Sequence, residues 1–176
     1  MRVLVTGGGG FLGKNIVKQL CDRGEDVTIL ARGRYPEVEA LGASSVQCDL
    51  SRPTGLASIL EGIDVVFHTA AKAGVWGSRE SFWSVNVEGT RNLLEASKKA
   101  GVKKFVFTSS PSAVWNGGDE SNLTEEDCPY PEKYLKSFGP IFRYFSHSGA
   151  YFDIKILIFG LRALIFLKNF LKTTIV

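Results

Sequence analysis

The sequence has little of several features that mark particular classes of protein. Its 176 residues include only three cysteines, one methionine and two histidines. Cys21, Cys48 and Cys128 are odd in number and lack the spacing of a metal site, so we expect reduced thiols in a cytoplasmic protein that binds no metal. The net charge of +3 gives no case for a nucleic-acid partner.

Long apolar runs are also scarce. The strongly apolar stretch 154–167 is interrupted by Lys155 and Arg162 and is shorter than the roughly 20 residues that a membrane span needs. We expect a buried helix or strand there, and contact of this stretch with a membrane surface is the weaker alternative. Met1 leads directly into a short strand pattern and not into the apolar region of a secretory signal.

The composition changes abruptly near residue 136. Residues 1–135 hold 15 basic and 17 acidic side chains, whereas residues 136–176 hold six basic side chains and only Asp153 as an acid. Nine of the 20 aromatic residues also fall in the second stretch. We therefore predict a nucleotide-binding domain over 1–135 and an atypical aromatic and basic tail over 136–176, a remnant of a catalytic helix and a sixth strand.

An alternation of short apolar strands with helices fills the first part. The patterns predict strands at 2–6, 27–31, 44–48, 64–68 and 103–108, and helices at 11–23, 53–60 and 80–100. Such alternation requires parallel strands joined by right-handed crossovers, and strands this apolar are covered by helices on both faces. The predicted fold is α/β, a Rossmann-type doubly wound parallel sheet that is incomplete at the C-terminus.

A glycine-rich loop joins the first strand to the first helix. Gly7, Gly10 and Gly13 have the spacing G-x-x-G-x-x-G in that context. The first permits a tight turn, the second lets the backbone approach a pyrophosphate, and the third lets helix and strand pack closely. The amides at the helix N-terminus, including those of Phe11 and Leu12, would then face the anion. The loop predicts binding of a nicotinamide dinucleotide, NAD(P).

The end of the second strand bears on which dinucleotide is bound. An acid there would bond the adenosine ribose, but the strand is followed by Arg32 and Arg34. Arg32 can accommodate a 2′-phosphate, which favours NADP over NAD; the alternative is a solvated surface pair. Asp49, with Leu50 beside it, is placed after the third strand to meet the adenine edge, and its alternative is a turn or capping aspartate.

Five motifs occur in an order and at spacings typical of one superfamily. They are TGGGGFLG at 6–13, CDL at 48–50, VFHTAA at 66–71, NVEGT at 86–90 and FTSSPS at 107–112. Together they resemble the extended short-chain dehydrogenase/reductases, the NAD-dependent epimerase/dehydratase superfamily. The stretches 31–37 and 129–135 resemble its 3β-hydroxysteroid dehydrogenase/isomerase-like branch more than its sugar-nucleotide epimerases. The resemblance covers residues 1 to about 135.

The resemblance implies hydride transfer between a nicotinamide and a small-molecule substrate, a hydroxysteroid-like or other secondary alcohol. Ser110 matches the serine that bonds the substrate oxygen; its alternative is a hydroxyl that satisfies loop amides. Ala70 and Ala71 would line the nicotinamide side. In the family a tyrosine is the acid/base, and a lysine four residues later on the same helix face lowers its pKa. The family's enzymes are commonly dimers through two long helices, which implies a homodimer.

The sequence departs from the family pattern where that tyrosine and lysine should lie. Counting forward from 129–135 places them near 138 and 142, which are Phe138 and Phe142. A displaced pair, Tyr151 and Lys155, lies about a helix and a turn ahead of a predicted sixth strand at 170–176. We keep three hypotheses: an NAD(P)-dependent oxidoreductase, a truncated cofactor-binding fragment without activity, and a sugar-nucleotide epimerase or dehydratase.

Overall fold

The chain's architecture comes from a computed structural model, which describes residues 1–73 and 76–109 and the course of the backbone over 153–158. Its parallel strands form one sheet in the order β3-β2-β1-β4-β5-β6. The strands are β1 (Arg2–Thr6), β2 (Asp26–Ala31), β3 (Ser44–Gln47), β4 (Val65–His68), β5 (Lys104–Ser109) and β6 (Asp153–Ile158). This order confirms the predicted Rossmann-type doubly wound sheet, with β1 between β2 and β4 at the point where the order reverses.

Helices connect the strands. They are α1 (Phe11–Asp22), α2 (Pro36–Glu39), α3 (Leu56–Leu60), α4 (Arg79–Phe82), a π-helix (Trp83–Glu88) and α5 (Gly89–Lys99). The four-residue α2 is too short to leave a periodic pattern and was not predicted. The helix predicted from residue 53 begins only at Leu56, because the preceding Gly55 adopts a left-handed backbone with φ of 70°.

The helix predicted to run unbroken over 80–100 is interrupted. A π-helix lies between α4 and α5, and Asn86 and Val87 are its buried residues. Asn86 there bonds the backbone of Lys72, which follows β4. An apolar period of about 3.6 residues cannot reveal one wider turn, so the interruption could be seen only in the folded chain.

The sixth strand lies elsewhere than predicted. It was expected at 170–176, outside the described residues, whereas β6 runs over Asp153–Ile158 and pairs in parallel with β5. Lys155 is therefore in a strand, opposite Val106. The prediction that Lys155 lies on a helix, one turn after Tyr151, is wrong, because the apolar alternation Ile154-Lys155-Ile156 suits a strand edge equally well.

Apolar side chains of the strands alternate between two core layers. Leu4 and Phe105 belong to the layer beneath α3 and α5, and Val3 and Val5 to the layer beneath α1. This alternation follows from the period of two in a strand. Each fully buried aliphatic side chain contributes about 1.5–3 kcal/mol, so both layers hold the carboxyl ends of the strands rigidly together. Across the described ranges, no helix is long and apolar enough to span a membrane.

Candidate functional site

The carboxyl ends of β1 and β4 meet at the point where the strand order reverses. Thr6, the last residue of β1, lies opposite His68, the last residue of β4. In open parallel sheets this reversal leaves a crevice between the loops that follow the two strands, and ligands bind in it. The glycine loop follows β1 and the Thr69–Lys72 segment follows β4, so both border the same crevice.

Gly7 makes the turn out of β1. Its φ is 71°, in the left-handed region that favours glycine. A Cβ atom on Gly7 would lie 2.8 Å from both the Ala70 nitrogen and the Thr69 hydroxyl. The glycine loop and the segment after β4 therefore touch at Gly7, which fits the turn role predicted for this residue.

Gly13 is where α1 packs on the glycine loop. A Cβ atom on Gly13 would overlap the Gly7 carbonyl oxygen and lie 2.7 Å from the Gly7 carbonyl carbon and 2.9 Å from the Gly8 Cα. All three are backbone atoms, so no side-chain rotation could relieve the overlap. This geometry fits the close-packing role predicted for the third glycine.

Gly10 differs because its surroundings are open. Its amide donates to the Gly7 carbonyl at 2.9 Å, and a Cβ atom on Gly10 would meet only that oxygen, at 3.3 Å. The part of the chain that the structure describes therefore leaves space above Gly10. This is what a close approach of backbone to a pyrophosphate requires, and that contact stays a prediction.

The N-terminus of α1 has no side-chain cap among the described residues. Gly10 caps it without a side-chain hydrogen bond, and its first turn contains no acidic residue. The first amides of a helix lack intrahelical acceptors and carry a partial positive charge, so they attract anions. The Phe11 side chain is 78% exposed beside them, whereas the Leu12 side chain packs against the core.

Tyr35 is a neighbour of the glycine loop that the sequence did not single out. A Cβ atom on Gly9 would overlap the Tyr35 ring, and one on Gly8 would lie 2.7 Å from the Ile29 Cγ2. Gly8 and Gly9 thus lie directly against side chains of β2 and of the loop after it, where a larger residue would not fit. The available signal was the run of four glycines itself, which exceeds the three glycines that the phosphate motif uses.

The two arginines after β2 have different surroundings. The Arg34 guanidinium pairs with Glu39, with 3.1 Å between Nη2 and Oε2. Arg32 is exposed and lies near Asp49, whose pKa its charge helps to lower. Both arginines are exposed, but the charge of Arg34 already has a partner in Glu39. The predicted alternative, a surface group that binds no ligand, therefore fits Arg34 better than Arg32.

Asp49 stabilises its own turn. Its Oδ1 accepts hydrogen bonds from the Ser51 hydroxyl at 2.7 Å and the Ser51 amide at 2.9 Å. These bonds, helped by the charges of Arg32 and Arg52, hold the pKa of the Asp49 carboxyl below its ordinary value. The turn role of Asp49 is thus present, while the Leu50 side chain packs in the core and its carbonyl accepts a bond from Asn92. The predicted contacts of Asp49 and Leu50 with adenine stay predictions.

A buried polar group lies directly beneath the crevice and was not predicted. His68 is 1% exposed, with its Nδ1 2.6 Å from the Thr6 hydroxyl and its Nε2 2.8 Å from the Thr90 hydroxyl. Burial lowers the pKa of His68 from 6.5 to about 4, so the ring is neutral at pH 7. A single apolar-flanked histidine at a strand end carries no spacing signal, so only the fold shows its partners.

The segment after β4 brings Ala70 and Ala71 to the crevice. The amide and hydroxyl of Thr69 donate to the Thr6 carbonyl at 3.2 and 2.7 Å, and the Ala70 amide donates to the Thr6 hydroxyl at 3.3 Å. Ala71 is exposed. Both alanines border the crevice, as a nicotinamide contact would require.

The predicted catalytic residues are described only in part. Ser110 and Tyr151 lie outside the described residues, and of Lys155 only the backbone position in β6 is known. Their catalytic roles stay predictions. Within the described ranges, no group of three His, Cys, Asp or Glu side chains could hold a metal ion.

Comparison with known proteins identifies the family. A sequence model of the 3-beta hydroxysteroid dehydrogenase/isomerase family matches residues 4–141. The chain belongs to this family. The resemblance drawn from the five motifs is therefore confirmed, as is membership of the wider superfamily of short-chain dehydrogenases and epimerases.

Relatives within the family have several named activities. The chain is 46% identical over 146 residues to the 2-alkyl-3-oxoalkanoate reductase of Shewanella oneidensis, a match that covers 83% of this chain and 36% of that protein. It is 40% identical over 145 residues to the 3 beta-hydroxysteroid dehydrogenase/Delta 5-->4-isomerase of Mycobacterium tuberculosis, covering 76% of this chain and 38% of that one. The chain thus spans little more than a third of the length of these relatives.

Solved structures show the same architecture with NAD present. The UDP-glucose-4-epimerase from Stenotrophomonas maltophila, with bound NAD, aligns with a TM-score of 0.75 and 26% identity over 90% of this chain and 52% of that one. The Thermus thermophilus UDP-glucose 4-epimerase in complex with NAD aligns with a TM-score of 0.71 and 32% identity, over 88% of this chain and 54% of that one.

Proposed function

We propose that this chain is the dinucleotide-binding part of an NAD(P)-dependent oxidoreductase that transfers hydride to or from a secondary alcohol or ketone. The observation that carries the proposal is the glycine loop at the sheet's reversal point. There the described residues leave Gly10 uncovered and give the N-terminus of α1 no side-chain cap. Family membership and the NAD present in the similar structures support it.

The geometry suggests how such a cofactor would lie. Its pyrophosphate would face the amides at Phe11 and Leu12, and its nicotinamide would lie against Ala70 and Ala71. When bound, the nicotinamide supplies the hydride acceptor or donor. Small side chains after β4 leave room for a flat ring against the backbone. The adenosine half would then extend toward Arg32 and Asp49, at the ends of β2 and β3.

The substrate follows from what the relatives have in common. Their names describe a 3-oxoalkanoate and a 3-hydroxysteroid, and both carry a ketone or a secondary alcohol at carbon 3. We propose a substrate of that kind, with Ser110 bonding its oxygen. Tyr151 and Lys155 remain the proposed acid/base pair, although Lys155 lies in β6 and not one helical turn after Tyr151. The homodimer that the resemblance implied remains part of this proposal.

Dinucleotide capture without turnover is the second candidate. The observation that favours it is the pair Phe138 and Phe142, which stand where the family pattern places its tyrosine and lysine. Neither phenyl ring can take up or release a proton. A sugar-nucleotide epimerase is the third reading, and the family match makes it the least favoured.

Titration with NADPH tests binding and turnover on the same sample. We expect enhanced NADPH fluorescence on binding, and Gly10→Val should weaken the affinity about 100-fold or more because the new side chain would occupy the space of the pyrophosphate. Gly101→Ala is the matched control. Gly101 precedes β5, at the opposite end of the strands from the glycine loop. Its φ is 74°, and a Cβ atom on it would have no described atom within 4 Å. This control should cost some stability without changing the affinity.

The same preparation separates the two leading candidates. Alcohol-dependent reduction of NADP that Tyr151→Phe abolishes would support the enzyme, whereas binding without any such reduction would support capture alone. If the wild-type chain binds neither NADPH nor NADH, or if Gly10→Val binds as well as the wild type, the proposal is wrong.

Arg32 should set the preference between the two dinucleotides. We infer that its guanidinium pairs with the 2′-phosphate of NADP, so Arg32→Ala should weaken NADPH binding about tenfold and leave NADH binding unchanged. Arg34→Ala is the matched control, because Arg34 is paired with Glu39. Equal effects of Arg32→Ala on NADPH and NADH would contradict the assignment. The NADPH effect should also shrink as salt screens the exposed pair.

A further inference from the structure

Asn86 holds the segment that follows β4. Its Oδ1 accepts a hydrogen bond from the Lys72 amide at 2.7 Å, and its Nδ2 donates to the Lys72 carbonyl at 3.1 Å. Asn86 is 4% exposed and Lys72 is half-buried, so both bonds are partly shielded from water. One side chain thus satisfies both backbone groups of a loop residue, as a neighbouring strand would do.

The other end of this segment is held by β1. Thr69 and Ala70 both donate to Thr6, which immediately precedes the glycine loop. The Thr69–Lys72 segment is therefore anchored at each end, and the exposed Ala71 lies between the two anchors. The anchor at Thr6 adjoins the glycine loop, whereas the anchor at Lys72 is made by Asn86 at the other end of the segment.

A chain of hydrogen bonds joins the two anchors through the interior. Thr90 donates its hydroxyl hydrogen to the Asn86 carbonyl at 2.7 Å, so its oxygen accepts from the Nε2–H of His68. The His68 Nδ1 is then an acceptor and receives the hydroxyl hydrogen of Thr6. The hydroxyl oxygen of Thr6 in turn accepts a hydrogen bond from the Ala70 amide. Every donor and acceptor has a partner in this single orientation, which requires the neutral ring.

The π-helix is what places Asn86 in this chain. The Asn86 carbonyl accepts the bond from Thr90, and the Asn86 side chain bonds the backbone of Lys72. Wide helical turns of this kind occur often at functional sites. Here the π-helix is connected to the segment that borders the crevice by the bonds between Asn86 and Lys72.

We propose that Asn86 is a positioning residue for the nicotinamide half of the dinucleotide, an inference that rests on the proposed function. Asn86 fixes the Thr69–Lys72 segment against which the nicotinamide lies. The ADP half would be held by the glycine loop and the N-terminus of α1, which Asn86 reaches only through the longer chain of bonds from Thr90 and His68 to Thr6. Loss of Asn86 therefore loosens the nicotinamide half of the cofactor more than the ADP half.

Two ligands that differ in the nicotinamide test this division. We expect Asn86→Ala to weaken NADPH binding about tenfold and to change the affinity for 2′-phospho-ADP-ribose less than twofold, both measured by calorimetry. Asn92→Ala is the matched control. Asn92, in α5, also bonds a backbone group, the Leu50 carbonyl, but this group lies outside the Thr69–Lys72 segment. It should leave the ratio of the two affinities unchanged.

The outcomes separate the inference from the proposed function. If Asn86→Ala weakens both ligands equally, or neither, the inference is wrong even though the cofactor site stands. If the wild-type chain binds neither ligand, the proposed function fails.

A second measurement needs no variant. Amide hydrogen exchange over Thr69–Lys72 should slow when NADPH binds and change little when 2′-phospho-ADP-ribose binds. Equal slowing with the two ligands would overturn the inference, since the segment would then respond to the ADP half alone.

Discussion

Gly13→Ala is expected to abolish dinucleotide binding and to lower the free energy of unfolding by about 2–3 kcal/mol. The added methyl group would overlap the Gly7 carbonyl and press on the backbone of Gly8. Because α1 and the turn are both rigid backbone, relief requires α1 to move away from β1. That movement would displace the amides that we propose face the pyrophosphate.

Gly24→Ala is the matched control at the other end of the same helix. Gly24 has a φ of 75°, and a Cβ atom there would meet nothing within 4 Å. Alanine at this position should cost about 1 kcal/mol of stability through the left-handed backbone alone, with unchanged affinity for NADPH. Chemical unfolding and NADPH titration check the pair. Wild-type affinity in Gly13→Ala would show that the packing of α1 on the glycine loop is dispensable.

Acid should destabilise the protein through His68. Burial lowers the pKa of this ring to about 4, whereas in the unfolded chain it is near 6.5. Between these values the unfolded state binds a proton that the folded state excludes, so stability is complete above pH 6.5 and declines as the pH falls toward 4. The loss over this range should be about 3 kcal/mol.

Unfolding measured from pH 7 to 4.5 isolates this contribution. Asp49 and Asp64 have pKa values lowered below 3.8, by hydrogen bonds from Ser51 and from Lys103 respectively, so both stay ionised over that range. His68→Gln should flatten the pH dependence, whereas His147→Gln, which removes the chain's other histidine, should retain the His68 component. An equal slope in the wild type and His68→Gln would show that His68 does not require its neutral form.

The parts of the fold that sequence reasoning predicted best are those with local causes. The ends of β1 and the start of α1 follow from an apolar run, a glycine turn and helical periodicity, all within about twenty residues. The first five strands therefore appear within one or two residues of their predicted bounds. The outermost strand was misplaced because several apolar stretches after residue 136 could each form a strand, and only pairing with β5 distinguishes among them.

The candidate site divides in the same way. Gly7, Gly10 and Gly13 could be recognised because their spacing is set by a turn and one helix start, which are local. Asn86 and His68 could not, because their partners are distant in sequence: His68 bonds Thr6 from 62 residues away and Thr90 from 22 away. Polar residues of this kind gain their role only when the strands have paired.

The amino-acid sequence by itself determined that this chain is a doubly wound α/β protein with a glycine-rich loop after its first strand, and to which family it belongs. Those properties reside in short-range patterns of apolar residues and glycines. Only the tertiary structure decided which glycines are required by packing and that Arg34, and not Arg32, pairs with Glu39. It also showed that a chain of hydrogen bonds links β1 to the π-helix. These depend on contacts between segments that the crevice brings together, and no pattern along the chain encodes such distances.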